Sequence, residues 1–205
     1  MARITEIRPQ IKDKGRCSVY LDGRFCCGLT LEAVVGHRLK VGDEVSSERL
    51  AEIQAESERQ TALDKALTHL TASMKTSASV RTYLQKKGYL PPVVDYVLEK
   101  LKEYGFVDDA EYARRYAGDA AKRKGKRLIA LELRRKGVEE EKIASAVDAL
   151  GGEEDAARAV FEKYMRGKPR ERETLYKAFR YLLSKGFDYE TARDVAGGRD
   201  EDGEA

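Results

Sequence analysis

The strongest constraint on the fold is a six-residue segment that returns twice. Leu84-Gln85-Lys86-Lys87-Gly88-Tyr89, Leu133-Arg134-Arg135-Lys136-Gly137-Val138 and Leu182-Leu183-Ser184-Lys185-Gly186-Phe187 place their glycines 49 residues apart each time. Each reads as a helix stop. Glycine accepts the left-handed conformation that ends a helix, the preceding lysine suits the negative end of the helix dipole, and the flanking apolar residues sit where a cap makes its hydrophobic contact. Positive φ is therefore expected at Gly88, Gly137 and Gly186, with Leu84 against Tyr89, Leu133 against Val138 and Leu182 against Phe187.

At the same offset and without gaps, further columns align: Leu63, Tyr112 and Phe161; Leu67, Tyr116 and Met165; Val80, Ile129 and Ala178; Val94, Ile143 and Ala192; Leu98, Val147 and Ala196. Thr76, Gly125 and Thr174 fall where helix N-caps are expected, ahead of each run into a Lys-Gly stop. Shared starts, stops and apolar positions make this a tandem repeat, and short helices of this kind need neighbouring copies for stability. The expectation is a mainly α protein: three tandem three-helix repeats of about 49 residues, forming an elongated curved stack, behind a small N-terminal module containing a β-hairpin.

In chain order, residues 1–61 make that module and a linking helix. Cys17–Leu21 and Arg24–Cys27 flank Asp22-Gly23, a strong hairpin turn signal that pairs Tyr20 with Phe25 and Val19 with Cys26. Ala2–Ile11 is expected to add a third strand, a short helix near Leu31–Val35 to cover the sheet, and Lys40–Asp43 to turn. From Ser47 the pattern is helical, with a capping serine and then Leu50, Ile53 and Leu63 against several glutamates, and nothing breaks it before Leu70. The copies occupy residues 62–107, 108–152 and 153–198. In the second, helices are expected near Ala110–Lys122, Lys126–Lys136 and Glu139–Leu150. Residues 199–205 read as a disordered acidic tail.

With 37% charged residues, 8% aromatics and no Trp, the chain has a large solvated surface. It lacks an apolar run of membrane-spanning length, and Met1–Glu6 has no signal-peptide core, so a cytoplasmic location is expected. Three cysteines and two histidines show no zinc spacing, so neither a disulfide framework nor a metal is expected. Phosphate loops, dinucleotide fingerprints, nucleophile elbows and zinc-protease motifs are also missing. Asp108-Asp109, the one carboxylate pair worth weighing, stands at a helix start and reads as a cap. No catalytic residue and no cofactor are expected.

The net charge is only +3, but the cations cluster. Arg114, Arg115, Lys122, Arg123, Lys124, Lys126, Arg127, Arg134, Arg135 and Lys136 stand against Asp119 and Glu132. Phosphate or an acidic protein surface is the natural partner of such a cluster, and a solvated helix face is the competing interpretation. The cluster lacks aromatic interleaving of the kind that stacks single-stranded bases.

The string Leu84-x-x-Lys87-Gly88, Leu101, Gly105-Phe106-Val107-Asp108-Asp109-Ala110-Glu111-Tyr112-Ala113, Ile129, Glu132-Leu133-x-x-Lys136-Gly137-Val138 resembles the signature of the RecX family of RecA regulators. The resemblance covers the repeats, 137 of 205 residues. Tyr112 replaces the Phe common in the family's motif and keeps its packing body. The N-terminal module looks like the extension that some longer members carry. The resemblance implies a non-enzymatic protein that binds the RecA–DNA filament and restrains strand exchange, ATP hydrolysis and coprotease function; a monomer whose basic middle reaches DNA phosphates within the filament is expected beside it. It assigns no contact residues; Arg114, Arg115, Lys122, Arg123, Lys124, Lys126, Arg127, Arg134 and Arg135 are the expected phosphate- or partner-binding set on charge alone. The alternatives are a helical repeat that binds nucleic acid directly, and an enzyme using Asp108-Asp109.

Overall fold

The computed structural model describes residues 2–11 and 14–197. The acidic tail proposed for residues 199–205 lies outside them. Two compact units result, one formed by the chain up to Ser73 with Val80–Phe106, the other by Met74–Ser79 with the chain from Val107 onward.

In the first unit, strands β1 (Ala2–Pro9), β2 (Arg16–Leu21), β3 (Arg24–Thr30) and β4 (Glu44–Val45) form an antiparallel sheet in the order β3-β2-β1-β4. Asp22 and Gly23 both take positive φ, as the tight turn requires, and Tyr20 faces Phe25 with ring centroids 5.9 Å apart. One expected pair is wrong: Val19 faces Cys27, not Cys26, because a bulge between Val19 and Tyr20 shifts the register by one. The shift turns Cys27 inward to join Ile4, Val19 and Leu29 in the core, and leaves Cys26 half-buried. Strand β4 is two residues long, too short to show an alternating pattern in the sequence.

Helix α1 (Leu31–Gly36) follows the sheet, and α2 (Ser47–Leu70) runs unbroken for 24 residues. It starts at Ser47 as expected, and the capping serine is Ser46, whose side chain accepts from the Arg49 N–H. Leu50, Ile53 and Ser57 are buried in its first half, and Ala62 and Ala66 in its second. At 3.6 residues per turn, the buried face rotates by roughly 165° between these sets. The first set meets the sheet core, and α2 also packs on α4 (Pro91–Glu103). Leu63, expected in the buried face, is only half-buried.

Helix α3 (Ser77–Lys86) has its first three residues in the second unit and the rest in the first, and the second unit holds α5 (Asp109–Ala121), α6 (Lys126–Arg135), α7 (Glu140–Asp148), α8 (Glu154–Met165), α9 (Arg172–Ser184) and α10 (Tyr189–Ala196). These are the three-helix bundles of the second and third copies. One core gathers Ala113, Ala117, Ile129, Leu133, Val138 and Ile143; the other gathers Ala157, Phe161, Ala178, Leu182, Phe187 and Ala192. All three Lys-Gly stops are formed as expected. Gly88, Gly137 and Gly186 have φ of 89°, 76° and 87°, and the N–H groups of Tyr89, Val138 and Phe187 bond back to the carbonyls of Leu84, Leu133 and Leu182.

The gapless 49-residue register fails for the first helix of the copies. Tyr112 and Tyr116 are half-buried, whereas Phe161 and Met165 are buried. An offset of 44 instead matches Ala113 with Ala157 and Ala117 with Phe161, all buried. Helices α6 with α9 and α7 with α10 keep the 49-residue register, and the difference is absorbed in the α8–α9 connection and an earlier start to α9. Thr174 is consequently not an N-cap: α9 begins at Arg172, its N-cap is Glu171, and Thr174 lies inside the helix.

Candidate binding surface

Asp108 and Asp109 are both engaged at helix starts. Asp108 caps α5, accepting from the Ala110 and Glu111 N–H groups at 2.8 and 3.0 Å. The Glu111 N–H leads in holding its carboxyl below the usual range, against a small opposing burial effect. Asp109 is buried, only 7% exposed, and accepts from the Ser77 N–H at 2.8 Å, capping the start of α3. Next to it the Thr76 hydroxyl donates to the Lys136 carbonyl at 2.8 Å, while also accepting from the Ser79 N–H.

That junction recurs 49 residues on. The Gly125 N–H donates to the Lys185 carbonyl at 2.9 Å, and the Lys126 N–H donates to Glu153. Asp109 and Glu153, 44 residues apart, thus do the same work for helix starts 49 residues apart. Burial pushes the Glu153 carboxyl up, the Lys126 N–H works against that, and Asp188 adds to it. The sequence hid this role: a carboxylate that caps a helix of another copy leaves no local pattern.

The expected cations separate into two sets. Arg114 and Arg115 share Glu111, at 2.7 and 2.6 Å, and Lys122 lies 3.8 Å from Asp119. Arg134 pairs with Glu140 across the α6–α7 turn. Lys124 donates to Glu132 at 2.6 Å, the Tyr116 hydroxyl donates to the same carboxylate at 2.6 Å, and Lys136 lies over the Tyr116 ring at 5.1 Å. Burial together with Glu132 pushes Tyr116 up to about 12. Burial also acts on Glu132, but bonds from Lys124 and Tyr116 prevail and hold its carboxyl low.

Arg123, Arg127 and Arg135 form the other set. They are exposed and have no acidic partner among the described residues, while the Lys126 side chain is half-buried at the start of α6. Arg127 and Arg135 lie two turns apart on α6, and Leu131, 38% exposed, lies midway between them on the same face. This arginine face is the part of the cluster whose charge is free to meet a ligand. The paired members keep some reach, because exposed ion pairs are worth only about 0–1 kcal/mol.

Among the described residues no group of His, Cys, Asp and Glu is arranged to hold a metal ion. No described helix is long and apolar enough to cross a membrane.

Comparison with known proteins matches four family models in chain order: the regulatory protein RecX N-terminal domain at residues 2–46, and the RecX first, second and third three-helix domains at 62–101, 108–147 and 152–195. The chain is similar to the regulatory protein RecX of Clostridium botulinum (strain Alaska E43 / Type E3), 31% identical over 95% of both chains. It is also similar to that of Bacillus subtilis (strain 168), 30% identical over 93% of this chain and 74% of that protein. A crystal structure of regulatory protein RecX superposes with a TM-score of 0.69 at 27% identity, covering 95% of this chain and 98% of that one. RecX from Lactobacillus salivarius shares the fold over 67% of this chain, with a TM-score of 0.62 at 21% identity.

Proposed function

The chain belongs to the RecX family of regulatory proteins, and from that premise we propose that it binds the RecA–DNA filament and restrains its recombinase, ATPase and coprotease activities. The observation that carries the reading is the run of family domains in order along nearly the whole chain. In this reading the protein is a cytoplasmic monomer that works by contact alone. The Asp108-Asp109 carboxylates are already engaged as helix caps, so no reaction is assigned to them.

Arg123, Arg127 and Arg135 are the contact residues we propose from the cluster, because they are exposed and have no acidic partner among the described residues. Lys124 is a poorer choice, since Glu132 holds it. The test is inhibition of RecA's DNA-dependent ATPase by the wild type and by the Arg123→Glu/Arg127→Glu/Arg135→Glu variant, with circular dichroism as the folding control. Surface changes of this kind alter stability by about 0.5 kcal/mol or less. The variant is expected to need at least roughly tenfold more protein for half-inhibition, since a charge-assisted hydrogen bond is worth on the order of a kcal/mol or more. A folded variant that inhibits as well as the wild type at every salt concentration removes this face from the interface. Binding to free duplex separates the direct nucleic-acid reading. Removing phosphate contacts weakens binding to duplex and filament alike and reduces the salt slope by nearly one unit per phosphate, whereas removing protein contacts weakens binding to the filament alone.

A further inference from the structure

The cations of α6 have no aromatic neighbours in sequence, but the fold supplies them from fifty residues downstream. The Arg127 N–H donates to the Gly186 carbonyl at 3.3 Å, setting the start of α6 on the turn that leads, three residues later, to Tyr189. Tyr189 meets Phe179 edge-on at 5.4 Å, and Phe179 lies 6.4 Å from Tyr176. Tyr176 and Tyr189, which share Phe179 as a neighbour, are 60% and 57% exposed. Other tyrosines of this copy have their faces occupied: Tyr164 and Tyr181 stack on each other at 4.6 Å, and Lys168 and Lys185 lie over them.

On α9 the open rings are bracketed by charge. Arg172 and Arg180 lie one turn either side of Tyr176 on the same helix face, both exposed and without an acidic partner among the described residues. In the 49-residue register, Tyr176 and Arg180 correspond to Arg127 and Leu131, so this is the face that α6 uses. Of the nearby acids, Glu173 is held by Lys177 at 2.6 Å and Glu190 lines the groove between α8 and α10, while the exposed Glu171, the N-cap of α9, adjoins Arg172.

We propose that Arg123, Arg127, Arg172 and Arg180 with Tyr176 and Tyr189 form a strip that takes a single-stranded nucleic acid, phosphates on the arginines and bases on the two tyrosine rings. Free π-faces spaced between unpaired guanidinium groups are what a strand with unstacked bases requires, and a duplex, with its bases already stacked, cannot use them. The inference deepens the filament reading by naming the component touched, and it rests on that reading for its setting. It is tested on naked oligonucleotide so that the two can fail separately.

The experiment measures fluorescence anisotropy of a labelled oligo-dT and of a labelled duplex with the full chain. Tyr176→Ala/Tyr189→Ala is expected to weaken oligo-dT binding tenfold or more, leave the duplex unchanged and leave the salt slope unchanged, because every phosphate keeps its arginine. Tyr176→Phe/Tyr189→Phe should retain wild-type affinity. Arg172→Gln/Arg180→Gln should weaken oligo-dT and reduce the slope by about 1.4, at about 0.7 per phosphate on a single strand. Absence of oligo-dT binding by the wild type, equal weakening for single strand and duplex, or a tyrosine-to-alanine variant that binds oligo-dT normally each overturns the proposal. If that last variant also fails to inhibit RecA's ATPase, the strip is a protein-binding surface, and the filament reading survives without this inference.

Discussion

Glu153 is half-buried, bonded to the first N–H of α6 and next to Asp188, so burial and the bond from the Lys126 N–H pull its pKa in opposite directions, with burial ahead. A carboxyl whose folded pKa exceeds its unfolded one contributes most below the unfolded value, and that contribution is lost as pH rises through the raised folded value. Asp108 and Asp188 behave in the opposite sense, stabilising above their unfolded pKa and losing the contribution as pH falls through their lowered folded values. Glu153→Gln keeps a carbonyl for the Lys126 N–H and drops the charge. Its stability relative to the wild type, from urea midpoints, should therefore rise between about pH 4 and 7, since an ordinary glutamate titrates near 4.3. A difference that is flat over this range would show that Glu153 carries no cost of burial. Nothing in the sequence distinguishes this glutamate from Glu154 beside it; only the distant Lys126 does.

Among the elements, the Lys-Gly turns have a second task that their sequence does not display. A Cβ on Gly88 would meet open space, whereas on Gly137 it would stand 2.3 Å from the Ala78 Cβ, and on Gly186 2.4 Å from Leu128. All three glycines need positive φ, but the latter two also let a neighbouring helix start come close. Gly88→Ala should cost about 1–2 kcal/mol from its backbone conformation alone. Gly137→Ala should cost roughly 2–5 kcal/mol, because overpacking is added, and combining it with Ala78→Gly should recover part of the difference. Equal costs for the two single variants, measured by urea unfolding, would mean that Gly137 is required only for its turn. The turns were legible because a cap is local chemistry; the seats they form are not, because they depend on what arrives from another copy.

Across the molecule, the order of elements was readable wherever the signal was periodic or short-range: the hairpin turn, the long helix, the second and third helices of each copy. The first-helix register, the Val19–Cys27 pairing and the aromatic strip were not, because a connection of altered length, a bulge and a meeting between copies leave no fixed spacing. The junctions give the second unit a nearest-neighbour character, in which stability depends on each interface as well as each bundle. Asp109→Ala, which strips the carboxylate from the Ser77 N–H, should therefore broaden urea unfolding and lower its m value as well as its midpoint. A midpoint shift at constant m would mean that the bond is a local cap and couples nothing. The early start of α9 has a consequence for the junctions. Thr76 and Gly125 stand at the heads of their helices, and each reaches the lysine carbonyl of the following Lys-Gly turn. With Arg172 and Glu173 wound in front of it, Thr174 lies inside its helix instead. The third copy thus receives a junction from the second while its own equivalent position is turned to helix propagation.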